Sequence, residues 1–205
     1  VTEPGETEPR REPAGESPIR RIIVESALIV FSILLALAVG QCADARKQNA
    51  LTDRALHAIR DEIAGNAERV AAALPYHLTL EGETRRADSM GVVHSYADFK
   101  RGAPNWSGFR NPELDATAWQ SAITMGVVPN IGFDTVRTLS RLYALQAKFD
   151  LYNTSGIPTF DFSDAAMPST VRRMWVYVAT MRTNEDTLVN RYREVLQLLG
   201  GPATR

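Results

Sequence analysis

The 205-residue chain has a single cysteine, Cys42, which excludes an internal disulfide. Its three histidines, His57, His77 and His94, lie far apart, with no HExxH and no second cysteine beside them. No metal-ligand spacing is therefore written into the sequence. A Gly-x-Ser-x-Gly elbow, a phosphate-cradling Gly-rich loop and a dinucleotide fingerprint are missing as well. With none of these constellations, the expectation is a non-enzymatic chain with no catalytic residues, no metal ligands and no cofactor. Lys and Arg number 23 against 24 Asp and Glu, so the basic footprint of a nucleic-acid partner is absent. No segment alternates with period two for long enough to read as a strand, which leaves an all-α chain.

What the chain does have is one long apolar run. Ile22 to Val39 (IIVESALIVFSILLALAV) holds one charge and neither Pro nor Gly over eighteen residues. As a helix it spans about 27 Å, close to the roughly 30 Å of a bilayer's hydrocarbon core. Arg20 and Arg21 stand just before it; Asp44, Arg46 and Lys47 follow. The reading is a transmembrane helix over residues 20–42, longer than a signal-peptide core of roughly 7–15 residues. Val39 to Cys42 loosely resembles a lipoprotein cleavage box, but Gln41 fits poorly before the cysteine. The span contains no His, so it offers no obvious axial ligand to a buried haem or chlorin. On a helical wheel Glu25, Ile29, Ser32, Ala36 and Gly40 share a narrow stripe, read here as a helix-packing interface. Ser32, Ala36 and Gly40 form a small-residue ladder of the kind that lets a second helix approach in lipid. Leu28, Phe31, Leu34, Leu35 and Leu37 lie off the stripe and suit lipid tails. Glu25 has two readings: it snorkels to the interface, or it bonds a neighbouring helix.

Residues 1–19 form a polar tail rich in Pro and Glu, expected to be disordered alone and to order only against a surface. Residues 43–205 are read as a helical extramembrane domain. Leu56, Ile59, Ile63, Asn66, Val70 and Ala73 step by threes and fours, so the membrane helix is expected to continue as a stalk. Pro75 is expected to end it. Asp61 and Glu62 read as a solvated face. A second helix is expected over about 84–100, then a loop, Arg101 to Arg110, carrying Trp106 and Phe109. These two aromatics are either a plug folded onto the core or a contact loop for a partner. Asn111-Pro112-Glu113 reads as a helix start, with Trp119 and Ile123 on one face and Gly126 as the stop. A further helix is expected from about Phe133 to Asn153 on Val136, Leu139, Tyr143, Gln146 and Phe149. The last helix has the clearest stripe: Val171, Met174, Val178, Met181, Leu188, Tyr192, Val195 and Leu199, broken only by Glu185. Trp119 and Trp175 are expected in the core, and Gly200-Gly201-Pro202 is expected to stop the chain's last helix. The fold class is thus all-α, with one transmembrane helix running into a long stalk and a helical bundle built against it.

Thr117 to Gly156 resembles a pattern in uncharacterised bacterial single-span inner-membrane proteins. There a short apolar helix ends in a Gly-containing turn, and a longer helix with a Tyr follows. The matching residues are Trp119, Gly126, Leu139, Leu142 and Tyr143. The anchor with its early Glu25, running straight into a stalk, extends the resemblance over about residues 20–156. It implies an inner-membrane anchor with an extracytoplasmic helical domain and no known activity.

Basic residues are nearly balanced across the span, with Arg10, Arg11, Arg20 and Arg21 before it and Arg46, Lys47, Arg54 and Arg60 after it. The short leading segment weighs more, which favours a cytoplasmic N-terminus and a periplasmic domain. Two roles follow. One is an accessory, structural subunit of a larger bacterial membrane complex, respiratory or photosynthetic, with other transmembrane subunits and the lipid bilayer as partners. The other is a single-span, sensor-like periplasmic binding module.

Overall fold

The computed structural model describes residues 18–91, 93–155 and 160–200. The polar tail up to Ser17 and the expected stop at Gly201-Pro202 lie outside these. Among the described residues there are five α-helices, one short 3-10 turn and no strand. The chain divides into two compact units, Val1–Lys47 and Gln48–Arg205.

In the first unit residues 18–47 are helical and belong to α1 (Pro18–Met90). Ile22, Leu28, Phe31, Leu34, Leu35 and Leu37 are all more than half exposed, from 53 to 62%. The most apolar 18-residue window of this helix has a mean hydropathy of 2.2 and is 0% buried. One helix among the described residues is therefore long and apolar enough to cross a membrane. Unlike the core helix of a soluble protein, it hides none of that surface inside the chain.

In the second unit α1 does not end at Pro75 but runs on to Met90 with Pro75 inside it. A proline removes one backbone donor, that of its own nitrogen, which leaves the Ala71 carbonyl without its helical partner. Ala71 and Pro75 are both exposed, so that carbonyl lies on the solvent side of the helix. The expected helix over 84–100 is in fact two pieces. Residues 84–90 are the last turns of α1, Gly91 turns the chain at φ 61°, and α2 (Tyr96–Gly102) starts afresh. Ser95 caps α2 by accepting from the Asp98 amide.

The Asn111-Pro112-Glu113 start is also corrected. Residues 111–116 are irregular, and α3 covers only Thr117–Thr124. Asn111 is engaged elsewhere, its amide donating to the Asn153 carbonyl at 3.3 Å. Ala116, at the cap position, makes no side-chain cap. Glu62 of α1 supplies it instead, accepting from the Ala118 amide at 2.7 Å. Glu62 is thus half-buried and bonded, not part of a solvated face. Trp119 is buried but Ile123 is 52% exposed, so they do not share one buried face. Gly126 closes the helix at φ 67°, where a Cβ would be strained.

After a 3-10 turn (Val128–Asn130) come α4 (Phe133–Ser155) and α5 (Met167–Gly200). On α4, Leu139, Tyr143, Gln146 and Phe149 are buried as their spacing predicts. On α5 the whole predicted stripe from Val171 to Val195 is buried, Glu185 included, and Leu199 is partly buried. Trp175 is only half-buried. The core of this unit packs Ile59, Ile63 and Val70 of α1 against Leu139 and Leu142 of α4, Leu188 and Tyr192 of α5, and Trp119 of α3. Two further clusters carry it along α1 and α5, one around Phe99 and Met174, the other around Leu80, Tyr177 and Met181.

Candidate functional site

Two polar layers interrupt the apolar core of the second unit. The first is fully bonded. Asn66 of α1 donates to the Asp115 carbonyl at 2.7 Å and to Gln146 of α4 at 3.1 Å, and its own oxygen accepts from the Asp115 amide at 2.9 Å. Gln146 also donates to the Asp115 carbonyl, and Tyr192 of α5 donates to Gln146 at 2.9 Å. Three helices and the irregular 111–116 segment meet here with their polar groups satisfied. Beside this layer the Tyr143 hydroxyl donates to Glu62 at 2.7 Å. Burial, then the Glu62 carboxylate, pushes the Tyr143 hydroxyl far above the usual phenol range; burial does the same to Tyr192. Both therefore act as permanent donors.

The second layer is not fully bonded. His77 of α1 and Glu185 of α5 are both 0% exposed, and His77 Nδ1 lies 2.8 and 2.9 Å from the two carboxylate oxygens. A carboxylate only accepts, so the imidazole proton sits on Nδ1 and the pair clamps α1 to α5. Among the described residues His77 Nε2 has no hydrogen-bond partner. Neither does the Tyr177 hydroxyl, Asn111 Oδ1, or either polar atom of the Asn153 side chain. Burial raises the Tyr177 hydroxyl, the neighbouring Asn111 amide works against this, and the nearby Tyr152 and Glu185 add to it. These groups therefore lie in one neighbourhood. They make a second polar layer in the core, less densely bonded within the chain than the first.

Aromatic rings wall this layer. Phe109 meets Tyr177 edge-on at 4.8 Å, and Tyr152 stacks on Tyr177 at 5.2 Å. Trp106 meets Phe109 at 4.9 Å and Phe99 at 5.8 Å. The loop that carries Trp106 and Phe109 is pinned to α1. Tyr76 donates to the Gly108 carbonyl at 2.6 Å, Glu83 accepts from Asn105 at 2.5 Å, and Arg110 lies over the Tyr76 ring at 4.4 Å. Trp106 and Phe109 thus fold onto the core while remaining half-exposed. Glu25, Ile29, Ser32, Ala36 and Gly40 lie on the exposed helix of the first unit. The Ser32 hydroxyl donates to its own helix at Leu28 O, 2.7 Å, and an added Cβ at Gly40 would meet nothing within 4 Å. No group of three or more His, Cys, Asp or Glu side chains is placed to hold a metal among the described residues. The chain matches no family model, no curated protein and no solved structure.

Proposed function

We propose that the chain is a non-catalytic, membrane-anchored accessory subunit that stabilises a larger bacterial membrane protein complex. The exposed apolar surface of the 22–39 helix carries this reading. A contiguous apolar surface of that extent is covered either by lipid or by protein. Bulky residues on most sides suit lipid, and the Ser32, Ala36 and Gly40 ladder suits a neighbouring transmembrane helix. In this reading α1 is anchor and stalk, and α1, α3, α4 and α5 form the bundle it carries. The anchor sits in the inner membrane with the N-terminus cytoplasmic and the bundle periplasmic, as in the single-span proteins that residues 20–156 resemble. Respiratory and photosynthetic complexes fit as hosts.

Two experiments test it. Alkaline phosphatase fused after Arg205 should be active; an inactive fusion together with an active cytoplasmic reporter contradicts the orientation. Purification in mild detergent should retain other integral-membrane subunits in fixed ratio, whereas a chain that migrates alone contradicts the accessory role.

The unpaired polar layer supports a second reading, a sensor-like binding module in which a small polar molecule bonds Asn111, Asn153 and Tyr177. A saturable rise in melting temperature of the full chain across a panel of small polar metabolites would favour it. No shift with any member of the panel contradicts it.

A further inference from the structure

In the second unit, α1 and α5 share a seam on their exposed side. Ala67, Ala71, Val189 and Leu196 floor a groove of about 470 Å³ there. A second hollow of about 210 Å³ lies between Asp53, His57 and Arg60 of α1 and Leu199 of α5. Asp53, His57, Arg60, Ala67 and Ala71 fall on one helical stripe, so both hollows follow the same seam. Between residues 53 and 71 it runs about 27 Å.

The floor is small and apolar, and the sides carry opposite charges, Glu68 on α1 and Arg193 on α5. They do not pair with each other. Arg193 donates to Asn190 at 2.9 Å, and Glu68 has no ion pair among the described residues.

We propose that this seam is a self-association surface whose occupant is a second copy of this chain. A twofold axis along the seam lays α1 of each copy on α5 of the other, at the same height. Glu68 of one copy then faces Arg193 of the other, and the reciprocal pair forms on the far side of the axis. Across this axis Glu68 and Arg193 complement each other twice over, whereas an unrelated partner would have to supply both signs in matching register. The alanines let the helices come close, and the paired charges fix the register. This surface is separate from the apolar anchor, so the inference does not depend on the accessory-subunit reading.

Sedimentation velocity of the full chain in detergent, over a concentration series, tests it. The wild type should pass from monomer to dimer. Glu68→Arg or Arg193→Glu alone should weaken the dimer about tenfold, and the two together should restore it to within about threefold. Ala71→Trp, at an exposed position, should abolish the dimer while leaving the thermal melt unchanged at a concentration where the wild type is monomeric. A chain that stays monomeric throughout overturns the proposal. So does a dimer that survives Ala71→Trp, as one held by the 22–39 helices would, or a double reversal that fails to rescue.

Discussion

At the scale of single residues the His77–Glu185 pair ties α1 to α5 with both side chains fully buried. Removing one partner leaves the other buried and unpaired, so His77→Ala and Glu185→Ala should each lose about 3–5 kcal/mol of stability in chemical denaturation. The double variant His77→Leu/Glu185→Leu should lose less than either single, because no polar group is then left stranded. Equal losses in all three would mean that packing, not pairing, governs the site. Asp150 behaves differently. Burial raises its carboxyl above the usual range. A raised carboxyl favours the folded state only while protonated, and that contribution is lost as pH rises through its folded-state value. Asp150→Asn should therefore raise the melting temperature slightly at pH 7, and the gain should vanish below about pH 4; a gain that persists at low pH would assign it to another cause. Glu185 stands out in the sequence as the one break in its stripe, but its partner lies 108 residues away. The signal for that partner was present. The three-and-four stepping of α1 continues past Pro75 through His77, Leu80, Thr84 and Ala87, all buried. Pro75, a helix breaker by local rules, masks that continuity because it sits inside the helix.

At the scale of elements, α3 depends on a group from another helix. Glu62→Ala removes both the cap on Ala118 and the acceptor for Tyr143. The expected cost is about 1–2 kcal/mol, with faster hydrogen exchange confined first to α3. Unchanged exchange in α3 would show that Trp119, stacked on Tyr143 at 5.5 Å, suffices to hold it. Elements whose determinants are local were legible. The stripes on α4 and α5 and the stop at Gly126 follow from periodicity and from a glycine at positive φ. The start of α3 was not, because its cap comes from α1 and Asn111 serves a tertiary bond instead of a local one. The Trp106–Phe109 loop stood out by composition, yet its anchoring by Tyr76, Glu83 and Arg110 is a property of the fold.

At the scale of the whole molecule, the apolar helix is the most legible feature, since hydropathy over one turn after another needs no tertiary contact to be read. In the proposed reading its small-residue face meets a helix of another chain, which this sequence does not contain. A photo-crosslinking residue placed at Ala36, with Leu35 as the lipid-facing control, tests the central claim directly in native membranes. The accessory-subunit account predicts a protein adduct at position 36 containing a different integral-membrane subunit, and lipid adducts alone at position 35. Lipid adducts alone at both positions, or adducts only between copies of this chain, would contradict it.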